Sequence, residues 1–199
     1  MFLNILLAVF CAKIKGYQIK PILKAHAIYP FIIVEMLYLF LQVSIFMGNY
    51  YFVQYSVVFK NIYFFALIIP LLVYKLYKPG FLGAGLIIIG TILNRFVISQ
   101  NGGKMPVFAS FSKITGYYDS SAILTADKLH IIGTETTKYK FLTDFIDVGY
   151  CILSVGDLLI HAVVFLIIYN VIKELNKATI NPKDKRRSIA YGDLQGDHF

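Results

Sequence analysis

A chain of 199 residues that is 58% hydrophobic and only 15% charged cannot cover a water-soluble surface. Its mean hydropathy of +0.67 marks an integral membrane protein, expected to form one domain. The net charge of +8 is compatible with nucleic acid, but no nucleic-acid motif accompanies it and the charges fall where a membrane topology puts them.

Residues 1–12 are apolar but short for a span, which takes about 20 residues. No basic region precedes them and no small-residue cleavage site follows, so they read as a retained first helix and not a signal peptide. Four lysines follow at Lys13, Lys15, Lys20 and Lys24. The second run is 27–48, with Pro30 in its first turn, where a missing amide donor costs little. Glu35 sits inside this run at a depth close to Lys75, and a stabilising pair between them is expected. The third run, 61–77, contains Pro70 and is closed by Lys75, Lys78 and a Pro79-Gly80 turn. The fourth is 81–100, and the small residues Gly80, Gly83, Ala84 and Gly85 at its start allow close approach of a neighbouring helix.

Residues 101–150 are polar but carry Phe, Tyr, Leu and Ile throughout. Such a segment folds against the membrane domain as short helices or loops, and residues 127–132 and 140–146 read as amphipathic pieces. The fifth run is 151–172, followed by a polar tail. Cys11 and Cys151 lie in or beside apolar runs and read as small buried residues; nothing in their spacing suggests a disulfide, a metal site or a redox pair.

Twelve of the nineteen basic residues fall in 13–24, 75–78 and the tail from 173. Positive charge collects on the cytoplasmic side, which places the N-terminus outside, the C-terminus in the cytoplasm and segment 101–150 outside. If the first run does not span, only the N-terminus changes sides. The expected fold is an all-α membrane protein: a bundle of about five transmembrane helices over residues 1–175, with the outer segment packed on one end. A polar cytoplasmic tail occupies 176–199.

Two motifs could carry chemistry. Ser154-Val155-Gly156-Asp157 opens the last run and is read as placing Asp157 about two turns inside the fifth helix, on the outer side. An intramembrane carboxylate needs a partner or a use, and Arg95 at similar depth is the expected counter-charge, directly or through Asn94. A ligand-binding or proton-handling site is the alternative, and Asp157 and His161, four residues apart, could form a short relay. The second motif, Asn101-Gly102-Gly103-Lys104-Met105-Pro106, reads first as a helix C-cap and second as an anion-binding nest. No metal-ligand spacing and no cofactor motif is present.

These motifs, with Leu93-Asn94, His130 and the stretch 137–144 that ends in Phe141-Leu142-Thr143-Asp144, resemble an uncharacterised family of small bacterial integral membrane proteins, a domain of unknown function. The resemblance implies the membrane fold and a bacterial cytoplasmic membrane, and no activity. The matching polar residues map to the outer half. The first expectation is therefore an outward-facing polar pocket formed by Asn94, Arg95, Asn101, Gly102, Gly103, Thr137, Ser154 and Asp157, for a small ligand, lipid head group or peptide. The alternatives are a membrane-embedded hydrolytic enzyme with His130 as base and Asp144 or Asp157 orienting it, and a small-solute permease. The expected partners are the lipid bilayer and either a small ligand or another membrane protein.

Overall fold

The computed structural model describes residues 2–119 and 129–180. Asp127, Lys128 and the tail from residue 181, with its basic stretch, lie outside the described residues. The protein is mostly helical: α1 is Phe2–Ile14, α2 Tyr29–Phe46, α3 Ser56–Val73, α4 Tyr77–Gln100, α5 Phe111–Ile114 and α6 Val155–Ile180. Among the described residues three helices are long and apolar enough to cross a membrane: His26–Phe46, Tyr77–Gln100 and Val155–Lys177. Two further apolar helices among these residues are shorter, Phe2–Ile14 and Val58–Val73. Large apolar side chains point outward along these helices, among them Ile33 (61% exposed), Phe65 (69%) and Phe81 (80%). Water penalises such faces, and they suit the apolar interior of a membrane.

The chain divides into two compact units, one drawn from Met1–Glu35, Ile62–Gly83 and Val163–Phe199, the other from Met36–Asn61 and Ala84–Ala162. In the first, α6 buries Val163, Val164, Ile167, Ile168, Val171 and Ile172, a stripe at helical spacing. Phe31 packs edge-on against Tyr63, with ring centroids 5.0 Å apart. Gly83 faces Val163, and a Cβ there would lie 3.2 Å from its side chain, so this glycine does admit a close neighbour. Gly85 meets nothing within 4 Å and does not.

Several boundaries differ from the sequence expectation. Pro79-Gly80 lies inside the first turn of α4, a position that tolerates proline. The reversal before it is made at Tyr74–Leu76, where Lys75 takes a left-handed conformation with φ of 53°. Lys75 forms no pair with Glu35; the groups that act on Glu35 are the positive charge of the N-terminus and Tyr63. The last helix begins at Val155 and not at Cys151, because Ile152 and Leu153 are taken up in a strand.

Segment 101–150 is not purely helix and loop. It holds β1 (Met105–Val107), β2 (His130–Ile132) and β3 (Ile146–Asp147), and β4 (Ile152–Leu153) follows it. β3 and β4 pair antiparallel. β1 pairs parallel with β2, with Met105 opposite His130. On its other side β1 meets Asp144 through a bridge at Val107. The Phe108 N–H donates to the Asp144 carbonyl at 2.8 Å and the Asp144 N–H to the Pro106 carbonyl at 3.1 Å. The 127–132 and 140–146 pieces thus become partly strand and a short 3-10 turn at Lys140–Leu142.

Candidate functional site

The Ser154–Asp157 motif is a helix start. Ser154 precedes α6, and its hydroxyl accepts the Asp157 N–H at 2.9 Å. In return the Asp157 carboxylate accepts the Ser154 N–H at 3.2 Å. This is a capping box with aspartate in the place more often held by glutamate. Asp157 therefore stands in the first turn, where the helix dipole favours a negative charge. Asn94 of α4 supplies the remaining partner: its Nδ2 donates to Asp157 Oδ1 at 3.0 Å. The Ser154 hydroxyl lies 2.9 Å from both Asn94 Oδ1 and Asp157 Oδ2, so its single proton is shared between two acceptors. Arg95 is exposed and forms no ion pair with Asp157, contrary to expectation, since the amide and the helix end already compensate the carboxylate. Nor does a hydrogen bond join Asp157 to His161.

Glycine makes this contact possible. A Cβ at Gly156 would run into Asn94 Oδ1 and lie 2.6 Å from the Gly90 carbonyl oxygen. A Cβ at Gly90 would meet the Gly156 carbonyl and lie 2.8 Å from the Ile160 side chain. The two backbones therefore touch with nothing between them, as small residues allow at membrane helix crossings.

The Asn101-Gly102-Gly103 turn closes α4. Gly102 and Gly103 have φ of 66° and 77°, and the Gly103 N–H returns to the Ile98 carbonyl at 2.9 Å. That i to i−5 bond with a left-handed glycine before it is a Schellman cap. The Asn101 side chain does more. Its Nδ2 donates to the Val97 carbonyl at 2.9 Å and to the Lys138 carbonyl at 3.1 Å, while its Oδ1 accepts the Lys138 N–H at 3.0 Å. The carboxamide thus pairs with Lys138 as another strand would. Asn176 repeats the device at the far end of α6: it bonds the Ile172 carbonyl at 2.8 Å and pairs both ways with Gln18, at 2.8 and 2.9 Å.

Asn101 and Gly102 also line an open groove of about 350 Å³. Gln100, Ile131, Ile132, Thr134, Thr136, Thr137 and Lys138 complete its wall. Thr137 stiffens that wall by accepting the Thr134 N–H at 2.9 Å, and the Thr134 and Thr136 hydroxyls meet at 2.9 Å. Beside it, His130 Nε2 lies 3.2 Å from Asp144 Oδ2; the histidine side chain is 28% exposed and the aspartate 6%. The two residues flank β1 from opposite sides, so Met105-Pro106-Val107 is the platform that brings them together.

Asp147 forms a further cluster. Its Oδ2 accepts the N–H groups of Ser110 (2.7 Å) and Ser112 (2.9 Å) and the Ser112 hydroxyl (2.8 Å), and Oδ1 accepts the Gly149 N–H at 2.9 Å. Partial burial alone would raise this carboxyl; the hydrogen bonds from Ser112, Gly149 and Ser110 outweigh it and hold the group below the usual carboxylate range. Nearby, burial first and then the Asp147 and Asp157 charges push the Cys151 thiol up to about 11, which leaves it unreactive at neutral pH.

Of the residues singled out from sequence, three groups emerge. Asn94, Ser154 and Asp157 meet at the start of α6; Asn101, Gly102 and Thr137 share the groove wall; His130 and Asp144 meet across β1. Gly103 serves the cap, and Arg95 joins none of them. Lys138, Thr134 and Thr136 escaped notice because a lysine and scattered threonines in a polar segment carry no spacing signal. Asp147 could have been found from Ser110-Phe111-Ser112, a short helix start that needs an acceptor for its free N–H groups.

Comparison with known proteins adds a family but no activity. An uncharacterised protein of Thermotoga maritima is 37% identical over 93 residues, covering 44% of this chain and 49% of that protein, so the match spans about half the relative's length. No solved structure matches. The model of a family of unknown function (DUF5317) matches residues 20–169, three quarters of the chain, and the protein belongs to that family.

Proposed function

We propose that this is a multi-pass protein of the bacterial cytoplasmic membrane, with residues 101–150 outside and the tail in the cytoplasm, whose groove holds the anionic head group of a phospholipid. The observation that carries this reading is the convergence of Asn101, Gly102 and Thr137 with Lys138 on one groove. Its volume of about 350 Å³ is near the lower end of ligand sites. Threonine hydroxyls, a lysine ammonium and the backbone beside Gly102 are donors suited to a phosphate ester. The groove belongs to a segment between two helices long and apolar enough to cross a membrane, which supports a position near the head groups. The orientation is supported by the concentration of Lys and Arg in 13–24, 75–78 and the tail from 173.

Native mass spectrometry of protein released from nanodiscs tests it. Phosphatidylglycerol is expected to remain bound where phosphatidylcholine does not. Lys138→Ala combined with Thr137→Val is expected to lose the adduct. Equal retention of the two lipids, or retention by the double variant, would count against the reading.

A second reading, hydrolysis, has one observation in its favour, the His130–Asp144 contact at 3.2 Å, since a buried carboxylate orients an imidazole that acts as base. Its test is a screen of wild type and His130→Ala against ester and phosphodiester substrates in detergent. Turnover present in the first and absent in the second would establish it; no turnover in either would remove it.

A further inference from the structure

Met36, Phe40, Val43 and Met47 recur at helical spacing and are all exposed. They make one apolar stripe that runs down α2 and past its last residue, Phe46, with Met47 80% exposed in the turn beyond. No charged residue or histidine occurs in residues 36–59. The polar side chains of the turn bond its own backbone. Gly48 has φ of 76°, and the Gly48 and Asn49 N–H groups return to the Ile45 and Ser44 carbonyls, both at 2.9 Å. The Ser44 hydroxyl donates to the Asn49 carbonyl at 2.9 Å. The Asn49 side chain accepts the Tyr51 N–H at 3.1 Å, and Gln54 donates to the Tyr51 carbonyl at 2.9 Å. A turn bonded in this way tolerates a poorly hydrated place. Tyr51 and Tyr55, the ends of the 3-10 turn that follows, are exposed, with ring centroids 6.1 Å apart.

The turn touches segment 101–150, because Phe46 packs against Tyr117 with ring centroids 5.3 Å apart. Just before Tyr117, α5 turns Ser112 inward to Asp147 and leaves Phe111 and Ile114 outward, the latter 82% exposed. Lys113 stands exposed beside them.

We propose that this turn, through Met47, Tyr51 and Tyr55, and α5, through Phe111 and Ile114, rest in the boundary between the head groups and acyl chains of the bilayer. The occupant is lipid and not a protein partner because the stripe continues the outward side of a helix long enough to span. Tyrosine suits that boundary, with an apolar ring and a polar tip, and this chain has no tryptophan to take the place. Lys113 reaches the phosphates while its apolar neighbours sit below them. The two contacts fix the depth of α2 and hold the start of segment 101–150 against the membrane. The proposal rests on the reading that α2 and α4 cross a membrane, and not on what the groove holds.

The absence of tryptophan supplies the test. Tyr51→Trp, Ile114→Trp and, as a reference on the exposed side of α4, Ile88→Trp are each placed in phosphatidylcholine vesicles. Emission from the first two is expected to be lost when the lipid is brominated near the top of its acyl chains, and to resist aqueous acrylamide. Ile88→Trp is expected to respond most to lipid brominated deeper. Acrylamide quenching of Tyr51→Trp or Ile114→Trp without quenching by brominated lipid would overturn the proposal. Shielding from both quenchers would overturn it too, since a second copy of the chain then covers the surface. An Ile88→Trp signal untouched by brominated lipid would remove the membrane reading and the proposal with it. Should a tryptophan disturb the fold, wild type is irradiated in vesicles whose lipid carries a diazirine high on its acyl chains. Peptide mapping is expected to find adducts in residues 47–55 and in 111–114, and their absence from either stretch would count as refutation.

Discussion

Asn94 donates to Asp157 across the α4–α6 crossing at 3.0 Å, and this bond replaces the arginine that the carboxylate was expected to need. Three hydrogen-bonding partners meet on Asp157, and no basic residue is among them. They are the Asn94 amide, the Ser154 hydroxyl and the Ser154 N–H at the helix start. Asp157→Ala removes the cap and strands the Asn94 amide, at an expected cost of about 1–3 kcal/mol. Asp157→Asn retains a side-chain acceptor and should cost less. Arg95→Ala should leave stability unchanged. Thermal unfolding in detergent checks all three, and a large Arg95→Ala effect would mean that the arginine supports the site after all.

The crossing also depends on two glycines. A methyl at Gly90 or Gly156 meets backbone carbonyl of the other helix, which has no rotamer by which to retreat. Each Gly→Ala change should destabilise by about 1–3 kcal/mol through forced separation of the helices. Gly85→Ala, in open space on the same helix, should be neutral or slightly stabilising. The same unfolding measurement compares them.

Asn101 and Asn176 are bound alike, each to a carbonyl one turn back and to both backbone groups of a distant residue. Asn101→Ala should release Lys138 and speed exchange of its amide hydrogen, at about 1–2 kcal/mol in stability. Asn170 bonds only the Leu166 carbonyl within its own helix, so Asn170→Ala should change little. Hydrogen exchange followed by mass spectrometry separates the two cases.

Asp147 gives the outer segment an acid limit. Its folded-state value is depressed, so the stabilisation is complete above the unfolded carboxylate value, about 4, and is lost as pH falls through the lower folded value. Protease nicking near Ser110–Ser112 should therefore rise in acid. Asp147→Asn should nick more readily at neutral pH and show a flatter pH response. A wild-type profile unchanged down to pH of about 2 would contradict this.

Much of the helical framework was legible because long apolar runs bounded by lysines admit few other readings. Glycine and proline marked the end of α4 correctly, since a left-handed Gly102 is what a helix end after Asn101 requires. Other features were not legible for physical reasons. Strands of two or three residues, such as Met105–Val107, show no periodicity. An apolar start at Cys151 reads the same whether it opens a helix or supplies a strand, so Asp157 was placed too deep. Counting charges assigned a cation to Asp157, whereas an amide satisfies it. The His130–Asp144 contact needed the parallel pairing of β1, which no local pattern announces.

The central claim is that the groove walled by Asn101, Gly102, Thr137 and Lys138 holds a phosphate-bearing head group. An experimental structure of the full chain in phosphatidylglycerol nanodiscs tests it most directly. The account predicts phosphate density in that groove within hydrogen-bonding distance of Lys138 and a threonine hydroxyl. A well-ordered groove holding only water, with lipid density elsewhere on the protein, would contradict it.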